Sequence, residues 1–308
     1  MKQFFTLNFS LPDSNAAAVF KVNEKTFTSH PIPVHIAIVG HLTRDISPDG
    51  YTIGGAVSYS GVTARRLGAE VTVLTRAHPD DVRFLEAEGI RVINLPTEVF
   101  TTFHNVYFKD IRIQQVLAVA GPIMECEVPP EVYEVDLLLL APVAQEVDPA
   151  IALHARHKLA ATPQGWMREW DLQGRVYSIP WYSSGRILPY LDVIIFSDQD
   201  LVGDMSILPT IIDSVPLVAI TRAAKGSVIY HRGRRRRVHT RPAREADATG
   251  AGDTFSAAFL VELMRGQSPI DAAYFANVTA SLSIEAVGLS GIPYRFQVES
   301  YIEAHPGP

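Results

Sequence analysis

The chain has 308 residues, with 27 Lys+Arg against 33 Asp+Glu, a formal net charge of −6 at pH 7 and 47% hydrophobic residues. That length buries a large core and suits one large α/β domain better than two equal ones, and the acidic balance argues against a nucleic-acid partner. Cys126 is the single cysteine, which excludes an intrachain disulfide; no apolar run reaches transmembrane length and no basic-then-apolar leader stands at the start, so a cytoplasmic protein off the membrane is expected.

Residues 1–33 mix short apolar pieces with Asn, Ser, Lys and Pro and read as an N-terminal extension, with the domain proper spanning 34–308. His35 to Gly40 is an apolar run ending in glycine, the pattern of a buried parallel strand. A loop from His41 to Tyr51, containing Asp45, follows, and Gly54-Gly55 opens a helix to Arg66-Leu67-Gly68. Val71 to Leu74 predicts a strand, Pro79 to Ala87 a helix and Ile90 to Leu95 a strand. Between Thr101 and Ala120 the pattern changes to alternation, with Phe103, Asn105, Tyr107, Ile111 and Ile113 spaced as in a hairpin. A β-rich insertion of this kind would cover a site as a lid.

The parallel pattern resumes with Leu137 to Ala141, a helix near Ala150 to Lys158, and strands at Leu159 to Thr162, Asp192 to Phe196 and Pro216 to Ile220. Gly226 to Thr240 predicts a second hairpin, with the arginine-rich run 232–237 at its tip as solvated charge. Ile270 to Glu285 predicts a helix. The expected fold class is therefore α/β, a doubly wound, mainly parallel sheet with helices on both faces and a small β lid. Ligands bind beyond the carboxyl ends of such strands, where Asp45, Ser197 and Thr221 are expected.

The stretch from Ala246 to Phe255 carries the chemistry. Phe255, Ala258, Phe259 and Glu262 fall at helical spacing, so Gly250-Ala251-Gly252 is the loop entering a helix. Backbone N–H groups there lack helical partners, small side chains let an anion approach, and the helix dipole favours negative charge. Asp253 beside that pocket would take the proton of a hydroxyl attacking a phosphate, which makes a phosphoryl-transfer site with its own base. The dinucleotide fingerprint is excluded because Phe255 stands where its third glycine belongs, and a P-loop because no Gly-Lys-Ser/Thr closes the stretch. The plain structural alternative is a small-residue helix start with Asp253 as a first-turn charge.

This string closely resembles the second signature of the ribokinase family, also called the phosphofructokinase-B family of carbohydrate kinases, and the resemblance runs from His35 to the end of the chain. It implies a doubly wound sheet with a β lid, matched to the insertion at 101–120, and transfer of the γ-phosphate of ATP to a hydroxyl of a sugar, nucleoside or polyol. Asp253 matches the family's catalytic base, and Gly250, Ala251 and Gly252 its anion hole. Thr221-Arg222-Ala223-Ala224-Lys225-Gly226 resembles the nucleotide loop Thr-x-Gly-x-x-Gly, with Ala223 in place of a glycine and Lys225 as an added charge for phosphate. Asn277 matches a position near the adenine, and Asp247 and Thr249 match residues that help hold a monovalent cation, commonly K+.

Ser197-Asp198-Gln199-Asp200 departs from the family's Asn-x-x-Glu, which orders Mg2+ and phosphate through water; Asp200 retains a carboxylate for that task, while Asp198 is either the acid in use or a helix cap. On the acceptor side Asp45 matches an aspartate that accepts hydrogen bonds from substrate hydroxyls, and Gly54 and Gly55 match the paired glycines where backbone meets substrate. Gly-Gly-Ala-Val-Ser-Tyr is closer to myo-inositol kinase-like members than to the ribokinase type, as is Ser-x-x-Asp. Thr102, Asn105 and Gln164 are candidate acceptor contacts; His41 and His104 lie near the site without metal-ligand spacing. The resemblance thus implies an ATP- and Mg2+-dependent kinase for a sugar or cyclic polyol, inositol-like favoured, able to form a homodimer through its lid. A nucleoside kinase of the same family and a non-catalytic sugar or nucleotide sensor are the alternatives. The intact Asp253 argues against the sensor, and the altered Ser197–Asp200 stretch argues for it.

Overall fold

Runs of Val, Ile and Leu without polar alternation can be satisfied only when both faces of a strand are buried. His35–Val39 (β1), Glu70–Thr75 (β4), Leu137–Leu140 (β8), Lys158–Ala161 (β9), Val193–Ser197 (β12) and Leu217–Thr221 (β13) meet that condition in the computed structural model, which describes residues 33–47, 50–108, 111–201 and 205–306. Apart from Pro33, the expected N-terminal extension lies outside the described residues. With Arg91–Asn94 (β5), Ser227–His231 (β14) and Arg234–Val238 (β15), these strands form a nine-stranded sheet in the order β15-β14-β13-β12-β9-β8-β1-β4-β5. It is parallel throughout except for the β13–β14 and β14–β15 pairs, which are antiparallel. The expected doubly wound, mainly parallel α/β architecture is the one found.

Successive residues of each strand point to opposite faces, so the core divides in two. Ile36 and Ile38 join one cluster and Ala37 and Val39 the other. The first face is covered by Ala56–Arg66 (α1), Pro79–Ala87 (α2), Ala251–Met264 (α4), Pro269–Ser283 (α5) and Arg295–Ala304 (α6), through residues such as Val57, Leu85, Phe259, Val278 and Val298. The second face carries Ile207–Ser214 (α3) together with short 3-10 turns that contribute Val132, Ile151, Trp166 and Leu188.

The lid is larger than the sequence reading made it. Thr102–Phe108 (β6) and Ile111–Ala118 (β7) form the expected hairpin, but Thr43–Ser47 (β2) and Gly50–Gly54 (β3) extend it to a four-stranded sheet in the order β3-β2-β6-β7. The expected loop from His41 to Tyr51 is therefore corrected: much of it is strand, and Asp45 lies inside β2 rather than in a loop. Thr-Arg-Asp-Ile-Ser has no apolar alternation of its own; it is held as a strand between β3, its hairpin neighbour, and β6, far along the chain. Arg44 ties this sheet to the body through an ion pair to Asp81 at 2.6 Å.

Two further expectations change. Instead of a helix near Ala150 to Lys158, Asp148 and Pro149 start a 3-10 turn that ends at His154, and β9 begins at Lys158. The arginine run is only partly the hairpin tip: Arg232 and Gly233, with φ of 51° and 70°, make the turn, but Arg234 to Arg237 run along the exposed edge strand β15. Arg168–Trp170 (β10) and Val176–Ser178 (β11) form a small separate ribbon.

Candidate active site

Because β1, β8, β9, β12 and β13 run parallel, the segments after them all emerge on one edge of the sheet. There lie His41, Pro142 to Glu146, Thr162 to Gln164, Ser197 to Asp200 and Thr221 to Gly226. The start of α4 supplies the remaining piece. Gly250 is its N-cap in the left-handed conformation, φ 74°, and a Cβ there would lie 2.1 Å from the Tyr59 ring of α1. Gly252, one residue into the helix, is exposed, and a Cβ there would meet nothing within 4 Å. Ala251 donates its N–H to the Ala248 carbonyl at 3.2 Å, so it closes the loop instead of offering that donor to an anion. The open cradle is thus the Gly252 side of the helix head, where first-turn N–H groups and the dipole favour an anion.

Asp253 follows immediately. Burial pushes its carboxyl up to about 7, the Asp200 charge pushes the same way, and the Arg168 charge opposes both. A carboxylate with that affinity for a proton is suited to accept one near neutral pH. Its backbone carbonyl accepts from Ser60 Oγ at 3.2 Å, tying the helix start to α1. Asp247 holds the loop before it: one carboxylate oxygen accepts from Thr249 N and the other from Gly288 N, both at 2.9 Å. Among the described residues, no group of His, Cys, Asp or Glu side chains gathers as a ready-made metal site.

The Ser197–Asp200 segment is a closed turn. Asp200 accepts from Ser197 N at 2.8 Å on one oxygen and from Gln164 Nε2 at 2.8 Å on the other. Gln164 therefore grips Asp200. Asp198 pairs with Arg222 Nε at 3.3 Å, and among the described residues the next helix, α3, has Ser206 and not Asp198 as its cap. In the adjoining loop Arg222 N donates to Gly226 O at 2.8 Å, and a Cβ on Gly226 would sit 2.1 Å from the Val238 carbonyl. Ala223 takes φ 46°, the left-handed region, where the family pattern has glycine. Thr221 Oγ1 donates to Phe196 O at 3.5 Å, and Lys225 is exposed. Asn277 is buried, 5% exposed, and its amide nitrogen donates to Ser227 Oγ at 3.1 Å, Val238 O at 3.1 Å and His239 O at 3.3 Å. Its amide thereby clamps α5 to the hairpin.

On the acceptor side a Cβ on Gly54 would fall 2.6 Å from Asp45 Oδ2, so the Asp45 carboxylate lies directly over that glycine. Gly55, φ 88°, caps α1, and a Cβ there would fall 2.5 Å from the His41 carbonyl. Thr102 donates its hydroxyl to Phe100 O at 2.9 Å, and Asn105 Oδ1 accepts from Gln114 Nε2 at 3.2 Å across the β6–β7 hairpin. His104 lies on β6 opposite Ile46. His41 is fully buried; its ring nitrogens meet Gly121 O at 3.1 Å and Thr101 Oγ at 2.7 Å, which suits a neutral ring that donates to the first and accepts from the second. Burial lowers its affinity for a proton. It bolts the lid base to β1.

Two residues were not singled out from the sequence. Glu146, 2% exposed, accepts from His41 N and Val143 N at 3.0 Å and from Ala144 N at 2.7 Å, holding the segments after β1 and β8 together. A lone acid just past a buried strand is a signal that could have found it. Arg168, at the head of β10, acts on Asp253 through its charge, and nothing local in the sequence marks it.

Residues 205–294 match the family described as pfkB family carbohydrate kinase. The chain is 24% identical over 269 residues to inositol 3-kinase of Arabidopsis thaliana, covering 82% of this chain and 74% of that protein. It is 47% identical over 62 residues to ribokinase of Bacillus subtilis, 20% of this chain and 21% of that protein. Among solved structures, a pyrophosphate-dependent kinase in the ribokinase family, complexed with a pyrophosphate analog and myo-inositol, superposes with a TM-score of 0.73 at 24% identity, covering 87% of this chain and 100% of that one. Residues 205–294 thus carry the pfkB family carbohydrate kinase match, on a chain with a ribokinase-like fold.

Proposed function

We propose that this protein is an ATP-dependent small-molecule kinase that transfers the γ-phosphate to a hydroxyl of a sugar or cyclic polyol, an inositol-like ring being favoured. The observation that carries the reading is Asp253, pushed up to about 7 beside the open helix head at Gly252. As the acceptor oxygen forms its bond to phosphorus and the bond to the leaving ADP breaks, the hydroxyl proton passes to the Asp253 carboxylate. First-turn N–H groups of α4 stabilise the charge on the transferring phosphoryl. Asp45 accepts hydrogen bonds from acceptor hydroxyls over the Gly54-Gly55 turn, with Thr102 and Asn105 on the lid sheet beside it. Thr221, Lys225 and Gly226 receive the nucleotide, and Asn277 supports their hairpin from behind.

Asp200 is the residue that would hold Mg2+ through water. Its charge raises the proton affinity of Asp253, so a dication held by Asp200 would fit a site that otherwise opposes two carboxylates. The metal would supply neutralisation of the phosphate charge. Asp247 and Thr249 are the residues for a monovalent cation such as K+. A homodimer through the β lid and a cytoplasmic location complete the proposal.

Pyrophosphate is a second reading for the donor. The amide nitrogen of Asn277, the expected adenine neighbour, is engaged by the hairpin, and the solved relative named above uses pyrophosphate. The test is a panel of inositols, sugars and nucleosides, each offered with ATP or with pyrophosphate, with the phosphorylated product identified by mass. Phosphorylation of a cyclic polyol with ATP is the expected result. Products only from nucleosides would move the acceptor class, products only with pyrophosphate would change the donor, and binding without product would make the chain a sensor.

A further inference from the structure

The transferring phosphoryl group would pass between Asp200 and Asp253, two carboxylates that repel it and each other, so a cation must face it. We propose, on the strength of the kinase reading above, that Arg168 is a further catalytic residue, a guanidinium that contacts the transferring phosphoryl group of the donor.

Arg168 ends the turn Pro163–Met167, and that turn is built as a rigid arm over the sheet edge. Gly165 is pressed so closely on the segment after β8 that a Cβ would fall 2.3 Å from the Pro142 carbonyl carbon. Glu146 locks that segment through the Val143 and Ala144 N–H groups. Trp166 Nε1 donates to Val147 O at 2.8 Å, Ile179 N donates to Met167 O at 2.9 Å, and Gln145 donates its side-chain amide to the Arg168 carbonyl. From the same arm Gln164 holds Asp200, so the turn that presents Arg168 also fixes the acid across from Asp253. Thr162, at the root of the arm, is 8% exposed, and its hydroxyl has no partner among the described residues. The half-buried Arg168 is near enough to Asp253 for its charge to act on that carboxyl. A planar guanidinium offers paired donors matched to phosphoryl oxygens, which a lysine on the same arm would not.

The test uses the full chain and three proteins: wild type, Arg168→Lys and Arg168→Ala. Turnover of Arg168→Ala should fall by ~10²–10³-fold, the loss typical of one transition-state donor, with the acceptor KM changed less than about twofold. Arg168→Lys should recover only part of the rate, and added guanidinium chloride should restore part of the Arg168→Ala rate while leaving the wild type unchanged. Wild-type turnover in Arg168→Ala overturns the proposal. So does a loss that guanidinium does not relieve and that comes with a lowered Tm in both variants, since that describes a structural role. Calorimetric titration with inorganic pyrophosphate separates this inference from the kinase reading, because it requires no acceptor. If no acceptor in the panel is phosphorylated, binding at least tenfold weaker in Arg168→Ala than in wild type still supports a phosphate-contacting Arg168, and equal binding overturns it.

Discussion

The two glycine pairs of this protein look alike in sequence and do different work. At Gly54-Gly55 both missing side chains are replaced by the protein itself: the Asp45 carboxylate lies over one and the His41 carbonyl against the other. At Gly250-Ala251-Gly252 only the first glycine is used that way, against Tyr59, and the second faces open space beside Asp253. The first pair makes a close packing that aims Asp45; the second makes one close packing and one vacancy. A glycine where a Cβ would collide reports architecture, and a glycine in the first turn of a helix where a Cβ would meet nothing reports room for a ligand.

The sharpest way to break this contrast is to remove the carboxylate beside the open glycine, the base of the proposed reaction. Asp253→Asn should lower turnover by ~10²–10⁴-fold with donor affinity little changed, measured by steady-state kinetics and calorimetry. In the wild type, turnover should fall about tenfold per pH unit below about 7, where Asp253 gains its proton. Stability carries the opposite sign. The folded carboxyl binds its proton more tightly than at the ordinary value of 3.8, so burial penalises its charged form fully above about 7 and not at all below 3.8. Asp253→Asn should therefore raise Tm at pH 8 and lose that advantage as pH falls towards 4. An equal Tm difference at both pH values would show that the buried charge is not its source.

Next in size is the acceptor side. Asp45→Ala removes charge-assisted hydrogen bonds worth about 1.5–3 kcal/mol each, so the acceptor KM should rise by roughly 10–100-fold while the donor KM stays near its original value. If Asp45 serves only the Gly54 packing, both constants and the Tm will move together.

The glycines themselves give a paired experiment. Gly250→Ala should destabilise the fold by about 1–2 kcal/mol from the left-handed backbone alone, and further through the collision with Tyr59, read as a lower Tm. Gly252→Val should leave the Tm within a few degrees and still depress turnover, because the added side chain enters the space the phosphoryl needs. Reversal of the two outcomes would exchange the roles assigned to these positions. The smallest effect is expected at Ala223, which holds a left-handed φ of 46° on the exposed donor loop. Ala223→Gly should raise stability by about 1 kcal/mol, measured by denaturant titration, with kinetics unchanged.

The fold class and the cluster of motifs around Asp253 were legible in the sequence for local reasons. Strands such as Ile36 to Val39 and Leu137 to Leu140 are apolar on both faces, α1 follows its cap Gly55 and α2 begins at Pro79, and the string from Asp247 to Asp253 has a spacing that few other structures require. What pairs across the chain was not legible. The placing of the Thr43–Ser47 hairpin in a four-stranded sheet comes from β6, the clamp made by Asn277 comes from β14 and β15, and the grip of Gln164 on Asp200 spans two strand ends. Glu146 and Arg168 belong to the same class, since a carboxylate that gathers N–H groups from two loops and a guanidinium whose charge acts on a distant acid have no signature in their neighbours. Sequence alone determined which residues are apolar, which turns need glycine and where the helix after Gly250 begins, because those depend on spacing along one segment. Tertiary structure alone decided which glycine stays open, which polar groups are already engaged and how strongly Asp253 holds its proton, because each depends on atoms that only folding brings within a few ångströms.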